Sequence, residues 1–131
     1  GKVALMLHTY IGDNMEDTMK VVEQPFIEYL RSATNLSKVL YEEAGHNAED
    51  IPEEDKELML RHSFKRYSKE AALIGTLDSC GEMIVKLSEI GVDEIACLVD
   101  FGIEPSLTLK ALENLNTLQK IFSGQSKEAI I

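Results

Sequence analysis

The apolar pattern opens with a block: Val3 to Leu7 is hydrophobic without interruption, turns polar at His8-Thr9, and reaches Gly12-Asp13-Asn14. A short run of this kind closed by turn residues predicts a strand covered on both faces, although periodicity alone leaves a buried helix open. Asp13 or Asn14 can cap a helix that starts near Met15. Pro25 is expected to interrupt that helix after Gln24, because proline lacks an amide donor and crowds the preceding turn. A second helix, PFIEYLRSATNLSKVLYEEAG, then carries Phe26, Leu30, Ala33, Leu36 and Leu40 at helical spacing and stops at Gly45.

Beyond the acidic loop HNAEDIPEED, Pro52 and the three acidic residues after it favour a helix start. That helix is predicted over about 52–72, with Leu58, Met59, Phe64, Tyr67 and Ala71 as its apolar positions. Leu73-Ile74-Gly75-Thr76 reads as a short strand, after which Thr76 or Asp78 caps a helix from about Ser79 to Ile90. In GVDEIACLVDFG the five apolar residues Ile95 to Val99 end at Asp100, which predicts another strand buried on both sides. Pro105 opens the last helix, and residues 123–131 form a loosely held tail. Strands alternating with helices predict the α/β class with a parallel sheet. Three strands are too few to close a barrel or to make a comfortable open sheet. With a chain that begins almost directly on a strand, this reads as a section of something longer.

Composition narrows the function classes. The 131 residues suit one domain, and 44% hydrophobic with 27% charged residues is an ordinary globular mixture. Thirteen basic residues against twenty-three acidic ones leave a net charge of −10, which argues against nucleic acid and anionic membranes as partners. No apolar run approaches the roughly 20 residues that span a bilayer, and no basic, apolar leader is present, so a cytoplasmic location is expected. Cys80 and Cys97 lack any paired-ligand spacing and read as reduced, buried thiols. His46 and His62 have no partner at ligand spacing, so no metal site is expected.

Three blocks carry a resemblance: VALMLHTYIGDN, PFIEYLRSATNL and FKRYSKEAALIGTLDSCGEMIVKLSEIGVDEIACLVDFGI. Together they resemble the luciferase-like flavin-dependent monooxygenases, in the subgroup embedded in nonribosomal peptide and polyketide assembly lines. Leu77 departs from the pattern, which usually has proline after Gly-Thr. The resemblance implies the C-terminal part of a (β/α)8 barrel: residues 1–122 as a partial monooxygenase domain, with a helical insertion at about 15–72. The opening strand would be a late barrel strand, Gly75-Thr76 would follow the penultimate one, and EIACLV would be the last. The implied activity is hydroxylation of a carrier-tethered intermediate with reduced FMN and O2; a deazaflavin is the open alternative to FMN. The fragment alone is expected to be inactive and to bind FMN weakly or not at all. The implied partners are the N-terminal barrel portion, or another copy of the chain covering open strand edges, and an acyl or peptidyl carrier domain.

In such a barrel the chemistry sits at the C-terminal strand ends. This places His8, Thr9 and Tyr10 after the first strand, Gly75 and Thr76 after the second, and Asp100 and Phe101 after the third. His8 is the catalytic candidate, through a hydrogen bond to a flavin or an oxygenated intermediate; the plain alternative is a polar residue satisfied at a strand end. Thr9, Gly75 and Thr76 could donate to a flavin phosphate or ribityl chain, against Thr76 acting only as a helix cap. Asp100 could orient a ring nitrogen or a basic neighbour, against capping the turn into Gly102. Arg61, Lys65, Arg66 and Lys69 form a basic stripe that could meet a phosphopantetheine arm or an acidic carrier, against a solvated helix face. Two further readings stay open: a non-catalytic structural or interaction module, and a phosphopantetheine carrier with Ser79 as the attachment site. The latter must explain a GTLDS spacing one residue too long and a strand that a carrier bundle does not need.

Overall fold

The computed structural model describes residues 1–43 and 52–123. In chain order these form β1 (Ala4–Ile11), α1 (Met15–Glu43), α2 (Glu53–Glu70), β2 (Leu73–Gly75), α3 (Leu77–Glu89), β3 (Glu94–Leu98) and α4 (Pro105–Ser123). Side chains of 34–43 are left undescribed, and the predicted helix end at Gly45, the acidic loop 44–51 and the tail 124–131 lie outside the described residues. The α/β class with parallel strands is what the alternation of runs and helices predicts.

The three strands form one parallel sheet in the order β2-β1-β3. Thr9, Tyr10 and Ile11 sit opposite Leu73, Ile74 and Gly75, while Ala4 to His8 sit opposite Glu94 to Leu98. Both ends of β1 are tied down. Val3 donates its amide to the Asp93 carboxylate at 2.8 Å, and the Asp93 amide returns one to the Val3 carbonyl at 2.8 Å. At the other end the Gly12 amide donates to the Gly75 carbonyl at 2.8 Å. Three consecutive strands of a barrel would place the second strand in the middle. Here the first strand is central, and β3 occupies the edge of β1 that the expected order leaves open.

The two sheet faces are covered unequally. Leu7, Ile11, Leu73 and Ile95 point to α3 and α4, where they pack with Cys80, Ile84, Leu118 and Phe122. Tyr10 and Ile74 point the other way, beneath α1 and α2, into a cluster with Val22, Phe26, Phe64, Phe101 and Ala111. That second cover stops halfway down the sheet. Met6, on the same face as His8 and Tyr10, is 68% exposed, and its neighbours Ala4 and Ala96 are exposed too. The predicted burial of EIACLV on both sides is therefore corrected: of β3 only Ile95 is buried. A strand with one free edge and half a bare face has no neighbour to bury its remaining side chains.

Pro25 does not break the first helix, which runs unbroken through it to Glu43. Proline in a helix interior costs roughly 3 kcal/mol. The neighbouring residues Val22, Phe26 and Ile27 are at most 2% exposed, and burying such side chains contributes about 1.5–3 kcal/mol each. Packing on both sides of the proline outweighs the lost bond. The start of α1 follows the expectation: Asn14 Oδ1 accepts the Asp17 amide at 2.9 Å, and its Nδ2 donates to Asp17 Oδ2 at 2.8 Å.

Candidate functional site

Because the strands are parallel, their C-terminal ends gather at one edge, with the starts of α1, α3 and α4 around it. The candidate residues meet there only in part. The first strand continues to Ile11, so His8, Thr9 and Tyr10 lie within it rather than after it. Alternation then separates them: His8 and Tyr10 face α1 and α2, whereas Thr9 faces α3 and α4. Thr9 is 3% exposed and donates its hydroxyl to the Leu7 carbonyl at 3.0 Å. His8 and Thr9 cannot converge on one ligand.

His8 sits in a box of aromatic rings. Its imidazole centroid lies 5.1 Å from that of Phe26, 4.5 Å from Tyr29 and 5.6 Å from Phe101, each in an edge-to-face arrangement. Its Nε2 is buried and has no hydrogen-bond partner. Burial holds the imidazole below its ordinary pKa, because a charged ring would lose hydration among apolar neighbours. The ring is thus a neutral, weakly basic group with one unused nitrogen. The expectation of a polar residue satisfied at a strand end does not hold at that atom.

At the end of β2 the backbone itself is specialised. Gly75 has φ +155°, and a Cβ there would collide with the Ser79 hydroxyl and crowd the Met15 methyl at 3.1 Å. Thr76 is the N-cap of α3: its Oγ1 accepts the Ser79 amide at 3.3 Å, and Ser79 Oγ accepts the Thr76 amide at 2.9 Å. This reciprocal pair satisfies the helix start internally. The Thr76 and Ser79 hydroxyls are occupied, so the helix-cap reading of Thr76 is the one the geometry supports. Ser79 also lies in the first turn of a helix packed on a parallel sheet, which differs from the all-helical bundle that the carrier alternative requires.

Asp100 is exposed and makes no side-chain hydrogen bond among the described residues, so it caps nothing in the turn to Gly102. Phe101 beside it is 5% exposed and packs its ring against His8 and Phe26. Burial pushes the Cys80 thiol up to about 12 and also raises the half-buried Cys97, with neighbouring Thr9 opposing that rise.

A feature that the sequence did not point to lies between the β1–α1 turn and α4. It is a cavity of about 160 Å³, lined by Tyr10, Gly12, Asp13, Thr18, Lys110 and Asn114 among others. Asn114 Nδ2 donates to the Ile11 carbonyl at 2.8 Å and to Asp13 Oδ1 at 3.3 Å, and Lys110 Nζ lies 3.7 Å from Asp13 Oδ2. Thr18 is 2% exposed, its hydroxyl has no partner, and it presses on Gly12 so closely that a Cβ there would clash. Burial and the Asp13 charge both raise the Tyr10 pKa. No local spacing connects Asn114, one turn beyond Lys110 on α4, to Asp13.

These residues do not fit FMN as they stand. Cofactor pockets run to about 300–1,000 Å³, well above the volume of this cavity. Asp13 and Asp17 on its rim would repel a phosphate. A second, open depression of about 520 Å³ between α3 and α4 is lined by Glu82, Lys86 and Glu89, on the far side of the sheet from His8. Among the described residues, no group of three or more His, Cys, Asp or Glu side chains is placed to hold a metal ion, and no helix is long and apolar enough to cross a membrane. Comparison of the chain with family models and with curated proteins finds no match to either.

Proposed function

We propose that this chain is the C-terminal part of a luciferase-like flavin-dependent monooxygenase that hydroxylates a carrier-tethered intermediate. The observation that carries the reading is the His8 Nε2, buried and unpaired within an aromatic box on β1, three residues before the edge where the parallel strand ends gather. The block resemblance, from VALMLHTYIGDN to EIACLVDFGI, supports it. A neutral imidazole among rings could donate or accept one hydrogen bond at the edge of a flavin held by the complete domain. Reduced FMN, when bound, would supply the oxygen chemistry, and the protein would bind, orient and exclude water.

The barrel belongs to the complete domain in this proposal. It requires β3 to leave β1 and pair beyond β2, where consecutive barrel strands would lie. It also requires further strands to build the flavin slot that the described residues lack. The chain alone is accordingly expected to bind FMN weakly or not at all, and its open edges to be covered by the N-terminal barrel portion or by another copy. Flavin fluorescence during FMN titration tests both halves. The 131-residue chain should leave the fluorescence unchanged at micromolar FMN, and a version extended by its upstream coding sequence should quench it and consume O2 with a flavin reductase. Sub-micromolar binding by the short chain, or none by the extended one, would sink the proposal.

The second reading, a non-catalytic interaction module, is favoured by one observation: the uncovered half-face around Met6 and the free edge of β3. An unpaired edge is a template for another strand.

A further inference from the structure

The outward half of α2 carries four cations within nine residues, Arg61, Lys65, Arg66 and Lys69, in a chain of net charge −10. All four are exposed, and among the described residues none makes an ion pair. Glu57, one turn before Arg61 on the same helix, is bound across the helix boundary by Arg31, and Arg61 adds only a smaller attraction to it. Favourable interaction with the helix C-terminus accounts for Lys69, the basic residue of the last turn; it does not account for Arg61, Lys65 and Arg66. Two large apolar side chains share the surface. Leu58 is 56% exposed and Met59 59%, and they precede Lys65 and Arg66 by seven residues, so each lies on the same stripe as one cation. The buried side of the helix, with Leu60 and Phe64, faces the opposite way.

We propose that this face of α2 is a docking surface for an acidic protein segment that also presents apolar side chains. The pairing of cations with Leu58 and Met59 fits a polypeptide better than a phosphate polymer, which offers charge without apolar complement. The strongly negative remainder of the chain would repel an extended polyanion or an anionic bilayer but leaves room for a short acidic helix along one face. Complementary charge would steer and orient the partner, and the two apolar residues would anchor it. This surface stands independently of the flavin chemistry, because it uses no residue of the strand ends.

The test uses the full chain and a fluorescein-labelled helical peptide of about 16 residues built from Glu and Leu, with polyglutamate of equal charge as the apolar-free control. The peptide should bind saturably, polyglutamate roughly tenfold more weakly, and R61Q/K65Q/R66Q/K69Q should lose roughly tenfold or more of the peptide affinity while keeping its circular dichroism. L58S/M59S should weaken peptide binding several-fold and leave its salt dependence intact. Should the quadruple variant fail to fold, K65Q and R66Q singly are each expected to weaken binding about threefold. Unchanged binding by the glutamine variants would overturn the proposal, as would tighter binding of single-stranded DNA or phosphatidylserine vesicles. A concentration-dependent dimer abolished by the same glutamines would overturn it too, by making a second copy the acidic occupant.

Discussion

The face of the sheet under α3 and α4 and the face under α1 and α2 are built from the same three strands, yet they do opposite jobs. The first is sealed along its length by aliphatic side chains, with Ile84 and Leu118 at its centre and a buried thiol, Cys80, among them. The second is sealed only at the top, by rings, and there it holds a histidine with an unpaired nitrogen. Lower down it is bare. Continuous packing thus lies on one side and the unpaired His8 nitrogen on the other, so the packing of the first can offset the cost of the second.

The sharpest way to break this comparison is to place the same charge on neighbouring residues of β1. Leu7, 6% exposed, faces the sealed side, and Met6 faces the bare one. Leu7→Lys should cost more than about 3 kcal/mol, enough to unfold much of the population, because the ammonium would be buried without a partner. Met6→Lys should fall within about 0.5 kcal/mol of the parent in urea titration. A similar loss for both would mean that the bare face is covered in solution.

A smaller effect is expected at the junction between the faces. Thr76→Ala removes one half of the reciprocal cap and should lower stability by about 1 kcal/mol, with the loss read from the urea midpoint at unchanged slope. A change in slope would instead indicate that α3 detaches as a unit from the aliphatic side.

The smallest effect sharpens the assignment of His8. Its folded-state pKa is lowered, so on acidification the unfolded chain takes up the proton first. The stability contributed by the neutral ring is complete above the ordinary value of about 6.5, and is lost as pH falls below it toward the folded-state value. Urea titrations between about pH 7.5 and pH 5.5 should show the parent losing stability faster than His8→Gln, which lacks that term. Parallel pH profiles for the two would place the imidazole in water rather than in the aromatic box.

Much of the aliphatic side was legible in the sequence. Apolar runs marked β1 and β3, and Thr76 signalled the cap of α3, because each of these is a local preference. The aromatic side was legible only as an apolar stripe through Phe26. Its helix was misread at Pro25 because the packing of Val22, Phe26 and Ile27 lies outside any local rule. The ends of the strands were misplaced for a related reason. His8 and Thr9 look polar enough to stop a strand, but Thr9, Tyr10 and Ile11 gain partners in Leu73, Ile74 and Gly75, far along the chain. The Asn114 bridge to Ile11 and Asp13 was invisible because it joins residues that share no local spacing.

The central position of β1 has a consequence for the order in which the chain is made. A ribosome delivers β1 before β2 and β3, so every ladder bond of that strand waits for one of them. Ala4 cannot find Glu94 until α1, α2 and α3 have all emerged. Loop closure over such separations slows folding, and an apolar strand left waiting is exposed to other chains. β1 therefore emerges well before either partner strand, and the helical cover of α1 can shield it in the interval.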